Sequence, residues 1–361
     1  MRALPNEGAA TMQMDMANTI RSLVTPGKGL LAADESQATI RRRFEPYGVE
    51  PTEENQRRYR QMLFTTPGVA EHISGVILFD ETMRQRADDG RPFADLMAAN
   101  GIVPGIKVDA GTTPLAGAPG EWITEGLDGL RARLEEYRAL GARFAKWRAV
   151  ITIGDGRPSS LCLDTNAHAL ARYAALCQQT GLVPIVEPEV LMDGAHSLKG
   201  SFAATEATLE RVFGALRAQR VVLEHILLKP SMVVPGADSP DQASVHEVAE
   251  ATVRCLRRTV PAAVPGVVFL SGGQNAVLAT ARLNAMNAMP EAHPWPLSFS
   301  FARALQAPAL EAWHGEPANV AAGQHAFLHR ARCNGAASEG RYTPDMERDQ
   351  AAGTHVGRSR R

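Results

Sequence analysis

Lysine is nearly missing from this 361-residue chain: of its 38 basic residues only Lys28, Lys107, Lys146, Lys199 and Lys229 are not arginine. A generic surface cation is written here as Arg, so each lysine needs a reason. Also lacking are an apolar run long enough to cross a membrane and, in MRALPNEGAATMQMDMANTIRSLV, the continuous apolar core of a secretory signal. These absences argue against a membrane partner and predict a cytoplasmic protein. Net charge is only -1; nothing biases the whole chain toward nucleic acid, and any anion site must be local. The four cysteines show no C-x-x-C spacing, which speaks against a disulfide framework or a zinc knuckle and for reduced, buried thiols.

What is present is an alternation. Eight short apolar runs begin at Gly29, Gly75, Ile102, Phe144, Leu182, Ile226, Gly266 and Pro296, roughly 30 to 45 residues apart, and each closes on polar or small residues. Helix-like stretches lie between them, for example 53–64, 131–140, 166–179 and 244–258. Strands that are apolar almost throughout belong to a parallel sheet covered on both faces. Eight strand–helix units predict an α/β fold, a single-domain (β/α)8 TIM barrel. An open doubly wound sheet is the alternative, but no G-x-G-x-x-G follows the first run. The expected organisation is an N-terminal arm and helix over 1–26, a barrel with C-terminal helices over 27–335, and a mobile Gly- and Arg-rich tail over 336–361.

Three lysines, Lys107, Lys146 and Lys229, sit inside apolar, β-branched runs. A desolvated primary amine can shed its proton and attack a carbonyl to form a Schiff base, which guanidinium cannot do. The competing reading is a partly buried structural cation paired with a carboxylate. Residues i and i+2 of a strand point the same way, so Lys107 with Asp109, Lys146 with Arg148, and Glu187 with Glu189 form same-face polar pairs at strand carboxyl ends. With Asp34, Lys229, Ser271 and Arg303 they would line the mouth where such barrels place catalysis. Ser271-Gly272-Gly273-Gln274 follows the seventh run and opens a helix, so its backbone N–H groups can cradle a phosphate, to which Arg303 adds a bidentate contact. Lys107, Lys146, Arg148 and Arg43 would serve a second anionic group across the mouth.

The segments GKGLLAADES, GVILFDET, GIKVDAG, FAKWRAV, ARYAALCQQTGLVPIVEPE, LLKPSMV, FLSGGQ and FSFARALQAPAL resemble the class I, Schiff-base fructose-bisphosphate aldolases, over a span from about Gly27 to Tyr342. The resemblance implies reversible cleavage of fructose 1,6-bisphosphate to dihydroxyacetone phosphate and glyceraldehyde 3-phosphate, with no metal and no bound cofactor. It implies that Lys229 forms the imine, that Glu187 is its acid and base, that Lys146 stabilises charge, and that Asp34 takes the fourth-carbon hydroxyl proton. Arg148 and Glu189 complete the catalytic set. Ser271, Gly272, Gly273 and Arg303 would hold the ketone-half phosphate; Ser36, Thr39 and Lys107, with Arg43 close by, the aldehyde-half phosphate. The family also implies a homotetramer.

The chain departs from that family in reading Ser36-Gln37-Ala38-Thr39 where many members have a glycine between the hydroxyls, and Phe301-Ala302-Arg303 where many read YGR. It ends in GRSRR rather than the tyrosine that assists proton transfer in vertebrate and plant relatives. Alternatives are a transaldolase-like Schiff-base barrel and a non-catalytic, filament-binding relative. A metal-dependent aldolase would need an H-x-H or H-E-x-x-H cluster, and neither occurs. His325, His329 and Cys333 share one helix face, but the ends of that set lie ~12 Å apart along the axis, so surface packing is the expected role.

Overall fold

The computed structural model describes residues 7–290 and 293–348, with side chains from residue 11. Its strands are β1 (Gly29–Ala33), β2 (Ile73–Leu78), β3 (Val103–Lys107), β4 (Gly111–Pro114), β5 (Trp122–Glu125), β6 (Phe144–Ile151), β7 (Val183–Val190), β8 (Leu227–Leu228), β9 (Val267–Phe269) and β10 (Leu297–Phe301). All but β4 and β5 close into one parallel barrel in the order β1-β10-β9-β8-β7-β6-β3-β2, as the eight apolar runs predict. β4 and β5 form an antiparallel hairpin that sequence periodicity does not announce, because its short strands, GTTP and WITE, carry no sustained apolar alternation. β8 is short for a chemical reason. Lys229 N–H still donates to Val186 O at 2.8 Å, but the next residue, Pro230, has no N–H to extend the ladder.

Side chains alternate in and out along each strand. Outward residues such as Leu31, Ala33, Val76, Leu78, Ile106 and Trp147 pack in the main core with the helices. Inward residues Leu30, Ala32, Ile77, Phe144, Val183, Ile185, Leu227 and Val268 form a separate cluster, joined by Met16, Ile20 and Leu23 of the N-terminal helix Glu7–Leu23. That helix therefore plugs the amino end of the barrel with apolar side chains, each stabilising by about 1.5–3 kcal/mol on full burial. Phe144 needs glycine opposite: a Cβ on Gly105 would lie 2.3 Å from its ring. One layer further along the same strands the inward positions turn charged, with Lys107, Lys146 and Glu187.

The chain stays packed past residue 335. The C-terminal helix runs Val320–Ala337, Ala337 and Tyr342 are buried, and a 3-10 turn spans Pro344–Glu347. The part of the expected mobile tail over 336–348 thus lies against the body, because Tyr342 supplies an apolar anchor and Glu347 pairs with buried Arg330 at 2.6 Å. The remaining tail, 349–361, and its GRSRR end lie outside the described residues. His329 and Cys333 are likewise buried, while His325 is exposed; packing in the core replaces the surface packing expected of this trio.

Candidate active site

Parallel strands of a tilted barrel are staggered, and the stagger assembles the charged layer. Lys146 is in register with Ile185 and Arg148 with Glu187, so the charged pairs form on the diagonal. Lys146 Nζ lies 3.1 Å from Glu187 Oε2, and Arg148 Nε pairs with Glu189 Oε2. Lys229, just beyond β8, brings its Nζ to 3.0 Å from Glu187 Oε1. Asp34, just beyond β1, closes the chain with Oδ2 2.7 Å from Lys146 Nζ. The result is a line of alternating charge, Asp34, Lys146, Glu187, Lys229, whose inner three members are only 3% exposed.

Burial sets the electrostatics and the amines then reverse its sign. Burial alone would raise the Asp34 carboxyl, but Lys146, then Lys229, hold it well below the usual carboxylate range. Glu187 is also lowered: burial opposes ionisation, Lys146 and Lys229 outweigh it, and Asp34 pushes back. Burial would favour a neutral Lys146, yet Asp34 and Glu187 lift it well above an ordinary lysine. That direction favours the charged amine at Lys146, the form that cannot attack a carbonyl. Glu187, touching both amines, is the one carboxylate placed to pass a proton to or from Lys229.

The candidate phosphate ligands lie at the ends of β9, β10, β1 and β3, and β1 pairs directly with β10. After β9, Gly272 and Gly273 adopt φ +54° and +89°, a left-handed turn that a side chain would strain and that exposes successive backbone N–H groups. Arg303 opens the helix Arg303–Trp313 after β10 and donates to Gly273 O at 2.7 Å, which fixes its guanidinium beside the loop. After β1, Ser36 holds the N-cap position of the helix Gln37–Phe44 without a side-chain capping bond, and its hydroxyl meets Thr39 Oγ1 at 3.2 Å in the first turn. Lys107 is tied to Asp109 at 2.6 Å. Arg43 is paired with buried Glu35, as is Arg60.

One cavity of about 940 Å³ is lined by all fourteen residues singled out from sequence. Seven cationic and five anionic side chains line it, a formal surplus of two positive charges in a chain of net -1. A cavity of about 960 Å³ beside the N-terminal helix is as large but contains no lysine; chemistry, not size, separates them. Sequence reasoning missed Ser300, whose buried Oγ has no hydrogen-bond partner and which lines the cavity. It also missed Gln306, which donates to Ala32 O at 2.6 Å and to Glu35 at 2.8 Å and so braces the Asp34 loop. The inward alternation of β10 would have flagged Ser300; no local signal marks Gln306.

Fold and site together define a barrel enzyme with amines buried for carbonyl chemistry on a substrate anionic at both ends. Comparison with known proteins narrows the class. The family described as fructose-bisphosphate aldolase class-I matches residues 15–359. A probable fructose-bisphosphate aldolase class 1 of Xanthomonas campestris is 58% identical over 328 residues, 91% of this chain and 98% of that protein. The cytosolic fructose-bisphosphate aldolase 5 of Arabidopsis thaliana is 54% identical over 94% of each. The crystal structure of Plasmodium falciparum aldolase, solved with TRAP and a small-molecule inhibitor, superposes with a TM-score of 0.91 at 47% identity, covering 92% of this chain and 96% of that one. The chain belongs to the class I fructose-bisphosphate aldolases, which are carbon–carbon lyases.

Proposed function

We propose that Lys229 is the nucleophile and that the charge line Asp34, Lys146, Glu187, Lys229 carries out the proton transfers of aldol cleavage. The neutral Lys229 amine attacks the ketone carbon, and Glu187 delivers and removes the protons needed to expel the carbonyl oxygen as water. The resulting iminium accepts the electron pair of the bond between the third and fourth carbons, while Asp34 takes the fourth-carbon hydroxyl proton and the aldehyde half leaves. Protonation of the enamine and hydrolysis return the free amine and the ketone half. Lys146, held as a cation, stabilises the carboxylates and the developing oxyanion; Arg148 and Glu189 brace the Glu187 side of the mouth.

Ser271, Gly272, Gly273 and Arg303 would bind the ketone-half phosphate, and Ser36, Thr39 and Lys107 the other, with Arg43 engaged only as far as Glu35 releases it. Ser300 adds a hydroxyl toward the substrate. The named cytosolic relatives favour a cytoplasmic enzyme, and family membership favours a homotetramer. One observation carries the reading: a buried carboxylate within 3.1 Å of two lysine amines in one cavity. Borohydride reduction in the presence of dihydroxyacetone phosphate, followed by mass mapping, is expected to place the adduct on Lys229. An adduct mainly on Lys146 or Lys107 overturns it. Lys229→Arg should remain folded and lose cleavage, since it keeps the charge without the amine.

A further inference from the structure

Away from the mouth, three potential metal ligands converge. His329 and Cys333 lie one turn apart on the buried face of the helix Val320–Ala337, with Cys333 Sγ 3.7 Å from His329 Nε2. Glu347, from the turn Pro344–Glu347, brings Oε2 to 3.4 Å from the same nitrogen. All three ligand atoms lie within 4.8 Å of one another, and among the described residues this is the group of three that does so. None of them lines the catalytic cavity. The objection that His325, His329 and Cys333 cannot reach one ion does not apply here, because Glu347 takes the place of His325.

We propose that His329, Cys333 and Glu347 form a structural site for a zinc-type divalent ion. A tetrahedral ion with bonds of about 2.0–2.1 Å to nitrogen or oxygen and about 2.3 Å to sulfur sets its ligands roughly 3.3–3.6 Å apart. Two of the three edges already match within about 0.2 Å. The third, Cys333 Sγ to Glu347, is no longer than 4.8 Å and closes as the Glu347 carboxylate, on a partly exposed turn, pivots about its contacts to Arg330 and Tyr342. A mixed sulfur, nitrogen and oxygen set selects zinc-like ions over calcium or magnesium, which take oxygen.

The surroundings are those of a held ligand. Arg330 Nη1 donates to both Glu347 oxygens at 2.6 Å, and Tyr342 OH donates to Oε1 at 2.9 Å, which orients the carboxylate as outer partners of metal ligands do. Without an ion, the imidazole and thiol are joined to Glu347 only by long contacts, His329 Nε2 to Glu347 Oε2 at 3.4 Å and Cys333 Sγ to His329 Nε2 at 3.7 Å. Binding would release the thiol proton; thiolate, carboxylate, Arg330 and the ion then sum to one positive charge, with water in the fourth position. The occupied site would fasten the C-terminal turn to its helix. Through Arg330 Nη2, which donates to Ala276 O at 3.3 Å, it also connects to the helix Ala276–Asn287 that follows the phosphate loop.

Chelator-treated full-length protein titrated with Co²⁺ tests this. The expected result is one bound ion with a thiolate-to-cobalt charge-transfer band in the near ultraviolet, bleached by one equivalent of Zn²⁺. Cys333→Ser and His329→Gln should each abolish the band while aldol cleavage stays at the wild-type rate. His329→Gln keeps every cysteine, so loss of the band there reports ligation even if Cys333→Ser folds poorly. No band in the wild type, or a band that survives either substitution in folded protein, overturns the site.

Discussion

Replacing Glu187 by Gln removes a charge and a proton carrier but almost no volume. In the wild type Glu187 faces Lys229 at 3.0 Å and Lys146 at 3.1 Å; the amide faces both and can neither donate nor accept the proton that forms and breaks the carbinolamine. General acid–base groups contribute roughly 10²–10⁴-fold, so kcat should fall by that factor, equivalent to about 2.7–5.4 kcal/mol. KM should change little, since Glu187 contacts neither phosphate end. Pre-steady-state borohydride trapping should slow in parallel with cleavage, and the adduct should stay on Lys229. A fall of less than about tenfold, or trapping at the wild-type rate while cleavage collapses, would refute the assignment. Stability supplies a second reading. Losing one partner of a buried pair costs about 3–5 kcal/mol, with the lower end expected because Asp34 still holds Lys146 at 2.7 Å. The Glu187 carboxyl lies below its ordinary value in the folded chain, so its contribution is full above the unfolded carboxyl pKa, ~4.3 for Glu, and is lost as pH falls toward the folded one. The Gln variant should therefore lose less stability than wild type on acidification below about pH 4.3.

Three further outcomes follow from the geometry. Arg303→Ala should raise KM for fructose 1,6-bisphosphate by roughly 10- to 100-fold, about 1.4–2.7 kcal/mol of charge-assisted phosphate binding, in steady-state assays; an unchanged KM would remove Arg303 from the phosphate site. Gly105→Ala places a Cβ 2.3 Å from the Phe144 ring and should destabilise by about 1–3 kcal/mol in urea unfolding, a loss that Phe144→Leu in the same chain partly restores. Exhaustive chelation should leave cleavage at the wild-type rate, because the iminium takes the place of a Lewis acid; a loss restored by zinc in the His329→Gln variant, which lacks the proposed structural site, would contradict the imine mechanism.

The barrel was legible because its physics is repetitive. Runs such as GVILFDE and LVPIVEPE are apolar almost throughout and end in charge, as a doubly covered parallel strand with a functional mouth requires. The proposed catalytic lysines were legible for a related reason: lysine is so rare here that one in an apolar strand stands out. What escaped notice depends on distant partners. The β4–β5 hairpin has no apolar alternation, Gln306 reaches Ala32 across 274 positions, and Glu347 sits in a polar stretch that composition alone assigns to a tail. The pairing of Lys146 with Glu187 was also beyond sequence, because strand register, not spacing, sets that diagonal.

The apolar plug under the barrel makes the reaction vessel blind-ended. With Met16, Ile20 and Leu23 sealing the base, both fragments must use one doorway. With Lys229 as the proposed nucleophile, the half joined to it departs only after its imine is hydrolysed, so the aldehyde is expected to leave first. In synthesis the ketone must enter first, because an aldehyde already seated would stand between it and the lysine. A helix outside the catalytic cavity thus leaves the proposed reaction a single entrance and exit.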